Sequence, residues 1–365
     1  MNVIPPCNPI CTKEMQDAAI HALQNEKFIF GESVVKFEEE FARYCNTDFA
    51  ISISSGTAAL QLSLLAAGVK NKDEIITPAN SFIATSNSII HAGGIPIFCD
   101  SNDSYLIEVN QIKDKITNKT KGILPVHLFG NPADMDEISE IAEKNKIFVI
   151  EDDAQAHGAL YKGKKIGSLA LTGCFSFYST KNMTVCGDGG MVTTNNEDIA
   201  KTVILLRDHG RISKNTHILI GYTARLNTVN AAIGSIQLRY LDQWVQKRRE
   251  IARKYNDLLS DVEEIVLPPG DINGKKPSYH LFVIKTKQRD TLIDFLRKNG
   301  IICLIHYPIP IPIQPIYKKL FYYKEGDFPK SEEQSKQILD LPMFPELKDN
   351  EIKYISEKIH EFFNR

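Results

Sequence analysis

A charge of one sign is missing from this chain: 43 Lys and Arg stand against 45 Asp and Glu, leaving a formal net charge of −2 over 365 residues. Without a basic field, neither a nucleic acid nor an anionic membrane surface has much to attract it, so the ligand is expected to be small. Paired cysteines are missing too. The seven present (Cys7, Cys11, Cys45, Cys99, Cys174, Cys186 and Cys303) are odd in number and lie without CxxC pairs or close histidines. That pattern argues against a disulfide framework and against a zinc site, so no metal is expected and a reducing, cytoplasmic setting is. Long apolar runs are scarce. The opening MNVIPPCNPICTKEM lacks the basic and apolar pattern of a signal peptide, and GIICLIHYPIPIPI is too short and too broken by proline to span a bilayer. There is no internal repeat and no low-complexity linker. What remains, 43% hydrophobic and 24% charged residues, suits one sizeable core and a second smaller one.

Short β-branched runs recur with helical patterns between them: DFAISIS, DEIITPA, GIPIFCD, KGILPVH, IFVIED, CFSFYS and GGMVTTN. This alternation predicts βαβ units and an α/β fold whose mostly parallel central sheet is covered by helices on both faces. EDIAKTVILLRDHG and the long AAIGSIQLRYLDQWVQKRREIARKYNDLL keep helical spacing, and the second is expected to join two domains. Beyond about residue 250 isolated strands (SYHLFVIKT, GIICLIHYP) and helices (QRDTLIDFLRKN, KDNEIKYISEKIHEFF) predict a small α+β unit. The expected division is a large domain over 1–245 and a small C-terminal domain over 246–365.

In open α/β sheets ligands bind beyond the carboxyl ends of the strands, which directs attention to the residues after each run. DFAISIS is followed by Ser54, Ser55, Gly56 and Thr57, a hydroxyl and glycine turn that opens the helix TAALQLSLLAAG. Such a turn delivers backbone N–H groups to a phosphate; alternatively it is a plain helix cap. IFVIED is followed by EDDAQAHGA, in which Asp152 leaves a buried strand, a costly place for a carboxylate without a cationic partner; alternatively these acids cap the next segment or pair with a surface lysine. CFSFYSTKNMTVCGDGGMV places Lys181 in hydroxyl- and aromatic-rich surroundings with only Asp188 as a nearby charge. A phosphate cradle, an acid from a buried strand and a lysine in uncharged surroundings at one sheet edge fit pyridoxal phosphate. The cradle takes the phosphate, the acid holds the pyridine nitrogen protonated, and the lysine forms the imine. Desolvation would depress the lysine's pKa enough to make it a nucleophile at neutral pH.

The run SSGTAAL, SFIATSNSI, PVHLFGNPADM, VIEDDAQAHGA, CFSFYSTKN, GDGG, LRDHGR, GYTARLNTVNAAIG and IHYPIPI resembles, in order and spacing, the DegT/StrS family of sugar aminotransferases over nearly the whole chain. The resemblance implies the fold-type-I aminotransferase architecture, pyridoxal 5'-phosphate as cofactor, and a homodimer with active sites shared between subunits. It implies transfer of an amino group, usually from glutamate, to a keto sugar carried on a nucleotide, for amino-sugar or surface-glycan synthesis. Position by position, Lys181 resembles the catalytic Schiff-base lysine and Asp152 the pyridine-nitrogen partner. Gln155 would sit near the ring hydroxyl, Phe82 would stack on the ring, and Gly56, Thr57 and Ser176 would bind phosphate. Asn182 would orient the imine or simply form a turn, and Tyr178 joins it as a substrate candidate. His306, Tyr307 and Gly31 match regions that contact the nucleotide sugar in the family, and Arg207, Arg211 or Arg225 would meet its diphosphate.

Two departures stand out. The family often has an asparagine after GY that reaches the neighbouring subunit's phosphate; here Thr223 stands there, and Thr223, Arg225 or Asn227 would take over its contact. Asp153 replaces a small residue and is expected to face solvent, the alternative being a tuning role in the pocket. His127 and His157 are expected to be packed structural histidines. The reaction implied is two-stage, with Lys181 as nucleophile and as the base that moves a proton. Alternatives are a sugar dehydratase, which carries histidine in place of Lys181, an inosose-type aminotransferase, or a non-catalytic cofactor-binding sensor.

Overall fold

The computed structural model describes residues 3–364. Its centre is a seven-stranded sheet built from β1 (Phe49–Ile53), β2 (Glu74–Pro78), β3 (Ile95–Cys99), β4 (Thr120–Ile123), β5 (Phe148–Asp152), β6 (Thr172–Ser176) and β7 (Gly190–Thr194), in the order β1-β7-β6-β5-β4-β2-β3. All neighbours are parallel except that β7 runs antiparallel to both β1 and β6. The carboxyl ends of β1, β2, β5 and β6 therefore open on one edge.

The strands read as continuous apolar runs because both faces are covered, and alternate side chains enter different cores. Cys174 packs with Leu60, Ile51, Ile150 and Val192, whereas Phe175, one residue on, packs with Phe37, Phe41 and Val245. On that second face Phe41 meets Phe175 edge to face at a centroid distance of 5.0 Å. Removing a ring buried to this extent costs about 3–5 kcal/mol. The helix Gly56–Ala66 is apolar nearly all round because it is enclosed by the sheet and neighbouring helices.

The helix Thr228–Leu259 runs unbroken past residue 245. Its Leu238, Leu241 and Val245 enter the core beside Phe37, and its Ile251, Ala252, Tyr255 and Leu259 enter a separate core with Phe282, Leu292, Leu339 and Ile355. That second core includes β8 (Phe282–Lys285) paired antiparallel with β9 (Ile338–Leu341). It also takes in Ile4 from the start of the chain, whose amide donates to the Gly300 carbonyl at 2.8 Å. The expected strand GIICLIHYP is not one: Ile301 bridges to Ile4, and Leu304 bridges to Asp340, each singly. Pro308 and the prolines after it have no N–H to extend a ladder, so pairing stops there. No helix among the described residues is long and apolar enough to cross a membrane.

Candidate active site

A cavity of about 400 Å³ lies at the carboxyl edge of the sheet. One wall is the start of the helix Gly56–Ala66. Ser55 caps it, its Oγ accepting the Ala58 amide at 3.1 Å. The Gly56 and Thr57 amides that follow have no acceptor within their own helix and sit at its positive end. Glycine is required here by close approach, since a Cβ on Gly56 would lie 2.6 Å from the Cβ of Ser176 at the end of β6. Two amides, Thr57 and the Ser176 hydroxyl thus form a cradle suited to a phosphate.

Asp152 ends β5 in the cavity floor, 3% exposed. Its Oδ2 accepts the Thr85 hydroxyl at 2.8 Å and its Oδ1 the Ala154 amide at 3.2 Å. Burial raises its pKa, and those hydrogen bonds, then Lys181 and His127, oppose the rise. Lys181 lines the same cavity, five residues beyond β6. Burial lowers its amine to about 8 against the pull of the Asp152 charge. Gln155 is locked by two bonds: its Oε1 accepts the Phe129 amide at 2.7 Å, and its Nε2 donates to the Tyr307 hydroxyl at 3.0 Å. Phe82, 54% exposed at the cavity, faces Tyr307 with centroids 5.7 Å apart, which leaves an aromatic face open for a flat ring.

The fold thus brings together Gly56, Thr57, Phe82, Asp152, Gln155, Ser176, Tyr178, Lys181, His306 and Tyr307. A phosphate cradle, a buried acid wanting a cation, a lysine with a depressed pKa and an aromatic platform fit pyridoxal phosphate in shape and charge.

Other expected residues lie elsewhere. Asn182 is buried behind the cavity lining, its Nδ2 donating to the Ser278 carbonyl at 3.1 Å, so its contact is structural. Gly31 caps the helix Glu32–Cys45, packed against Thr228. Arg225 pairs with Asp208 at 2.6 Å, Arg211 also pairs with Asp208, and Arg207 is buried against Glu38. Asn227 caps the helix Thr228–Leu259 by accepting the Asn230 amide at 2.9 Å, and the Thr223 hydroxyl meets His209 at 3.1 Å. None of these reaches this chain's own cavity lining.

Asp153 does not face solvent. It is fully buried, and its carboxyl is held well above the usual range by burial and by the charges of Glu151 and Asp152. The alternation of a strand end forces this: Glu151 and Asp153 point to one face while Asp152 points to the cavity. His127 lies between the two acids, 3.1 Å from Glu151 and 3.4 Å from Asp153. Its Nδ1 accepts the Ala133 amide at 2.9 Å, which leaves the proton on Nε2 to donate to Glu151, while both carboxyl oxygens of Asp153 are buried without a hydrogen-bond partner. His157 is buried against the rings of Phe175 and Phe177.

Sequence reasoning missed Thr85, which braces Asp152, and His280, which lines the cavity from two residues before β8. Thr85 lay inside the quoted SFIATSNSI, and His280 is the one polar ring in the apolar run HLFVI.

The family model for the DegT/DnrJ/EryC1/StrS aminotransferases matches residues 9–360. A pleiotropic regulatory protein of Geobacillus stearothermophilus is 40% identical, over 93% of this chain and 92% of its own. The dTDP-3-amino-3,4,6-trideoxy-alpha-D-glucose transaminase of Streptomyces venezuelae is 36% identical, over 96% and 92%. Among solved structures, S. venezuelae DesV superposes with a TM-score of 0.94 at 35% identity, covering 96% of this chain and 95% of that one.

Proposed function

Because the chain belongs to the DegT/DnrJ/EryC1/StrS aminotransferase family and is a pyridoxal-phosphate-dependent sugar aminotransferase, we propose that it moves an amino group from glutamate to a nucleotide-linked 3- or 4-keto sugar. The observation that carries this reading is the pairing, in one cavity, of a lysine whose amine is lowered to about 8 with a buried aspartate.

The cofactor, when bound, supplies an aldehyde that accepts amino groups and a protonated ring that draws electrons from the adjacent carbon. Every other task falls to this chain. Asp152 holds a positive charge at the cavity floor, fixed in direction by Thr85 and the Ala154 amide. The start of the helix Gly56–Ala66 and Ser176 hold a phosphate. Phe82 covers one face of a flat ring, and Gln155 with Tyr307 borders its edge. Lys181 Nζ would hold the cofactor's aldehyde at rest and, when free, would be the base that takes a proton from the carbon on one side of the transferred nitrogen and delivers it to the carbon on the other side.

We extend the proposal to a homodimer with shared sites. Ile218, Leu219 and Ile220 follow the hairpin Arg211–His217 as an exposed apolar stretch, with Ile220 93% exposed, and such a patch is normally covered by a partner. Arg225 and Asn227 lie along the same stretch of chain, outside their own cavity, which suits a role at the partner's.

Purified protein should show visible cofactor absorbance that changes when L-glutamate is added. Lys181→Ala should abolish turnover and covalent retention of cofactor after borohydride, and a variant with normal activity would sink the reading. The amino form, offered nucleotide-linked 3-keto and 4-keto sugars in turn, identifies the acceptor.

A further inference from the structure

The tasks described above leave the cavity's imidazoles without a use. His306 borders the cavity, and its Nδ1 lies in hydrogen-bond contact with Oδ2 of Asp340 on β9. The two side chains differ in setting: His306 is 28% exposed and Asp340 3%. Nε2 of His306 makes no hydrogen bond with any described residue, and Oδ1 of Asp340 is buried without a partner.

The pair is not needed to tie the His306 segment down. The backbone does that, since the Asp340 amide donates to the Leu304 carbonyl at 2.9 Å and the two residues form a β-bridge. An aspartate kept almost wholly out of water costs stability that an apolar side chain of similar size would not. What a carboxylate does for a neighbouring imidazole is fix its tautomer: Nδ1–H donates to Asp340, and Nε2 becomes the working nitrogen. The other cavity ring, His280, does not suit proton donation. Burial holds it well below the usual range, and Lys181, then Arg248, His306 and His157, push it further down.

We propose that Asp340 positions His306 as a second acid–base group of the cavity, acting on the oxygen of the keto substrate while Lys181 acts on its carbon. This rests on the aminotransferase reading above and deepens it. For an amine to replace a ketone oxygen, a C–N bond forms, the C–O bond breaks, and one water leaves. His306, protonated, gives its Nε2 proton to the hydroxyl that has formed from the ketone, and that hydroxyl departs as water with the C–O electron pair. The nitrogen then loses one proton as its double bond to carbon forms, and neutral Nε2 takes it. Protons and electrons balance with no oxidant or reductant.

The test uses the holoenzyme and the variants Asp340→Asn, Asp340→Glu, His306→Gln and the double variant Asp340→Asn/His306→Gln. Bound-cofactor absorbance and its change with L-glutamate report on the underlying reading, so a wild type that neither colours nor responds would count against that reading. For the keto acceptor, Asp340→Asn and His306→Gln should each lower kcat by about 100-fold, in the range typical of a lost acid–base group. KM should stay within about threefold, and the double variant should be no worse than either single one, as expected of residues that act as a unit. Asp340→Glu should restore part of the loss. In nitrogen-edited NMR spectra the low-field Nδ1–H signal of His306 should be present in wild type and absent from Asp340→Asn. The proposal is overturned if Asp340→Asn keeps kcat within about twofold of wild type or lowers it equally in the His306→Gln background. It is also overturned if the wild type lacks the Nδ1–H signal, which decides the matter even where Asp340→Asn does not fold.

Discussion

Lys181 owes its low pKa, about 8, to burial, and Asp152 works against that fall by stabilising the ammonium. An ordinary lysine near 10.4 is almost wholly charged at neutral pH. Here about half the amine is free near pH 8, so the rate at which apo protein captures pyridoxal phosphate, followed by visible absorbance, should rise with pH through a midpoint of about 8. Asp152→Asn removes the charge that raises the amine and should move that midpoint to lower pH; an upward move would contradict the pairing. Asp153 carries the opposite kind of effect. Its folded pKa lies well above the ordinary 3.8, so above that pH the folded chain keeps a proton that the unfolded chain gives up. Stability from this site is therefore lost as pH rises, by at most about 1.4 kcal/mol per unit. Asp153→Asn cannot ionise, and its Tm relative to wild type should increase between about pH 5 and pH 8, a difference that calorimetry at both values reads directly. That Asp152 was special could be read from an acid leaving an apolar strand. That Asp153 is buried could not, because its face is closed by the turn at Gly167, the amide donors to Glu151 and His127, all brought in from other parts of the chain.

The decisive element is the helix Gly56–Ala66, whose first turn meets the end of β6. Gly→Ala inside an exposed helix usually stabilises by about 0.5–1 kcal/mol. At Gly56 the added Cβ would stand 2.6 Å from Ser176 Cβ and 3.2 Å from its Cα, so helix and strand must part. Gly56→Ala should cost about 1–3 kcal/mol in urea unfolding, as overpacked sites do. It should also weaken cofactor binding at least about tenfold in equilibrium titration, since the amides withdraw from the phosphate position. The strands of the sheet were legible because both faces are enclosed, and the long helix because its buried residues recur at helical spacing along one side. GIICLIHYP was misread as a strand for a related reason. Its Ile301 and Cys303 are buried and Leu304 is exposed, as on a strand, but its two bridges go to different partners, Ile4 and Asp340, and periodicity registers burial without registering pairing.

At the scale of the whole molecule, the exposed Ile218 to Ile220 stretch beside the Arg211–His217 hairpin is the surface on which the proposed dimer rests. Burying one isoleucine fully contributes about 1.5–3 kcal/mol, and a twofold interface buries it twice. Ile220→Asp should therefore shift sedimentation from dimer toward monomer with an unchanged circular dichroism spectrum, and activity should fall with the dimer fraction. A wild type that sediments as a monomer at assay concentration would refute shared sites.

The order of motifs along the chain was enough to establish the family and the cofactor and to single out the lysine proposed to meet it, because those depend on residue types at fixed distances from strand ends, and strand ends are marked by local pattern. Which candidates share a cavity was decided by tertiary structure alone. Asn182 and Tyr178 lie four residues apart, yet only Tyr178 lines the cavity, while Asp340 meets Leu304 and His306 from a separate segment. Local sequence specifies backbone conformation and the burial of apolar residues; whether a polar side chain is buried, and how it is satisfied, depends on groups that only packing brings within 3 Å.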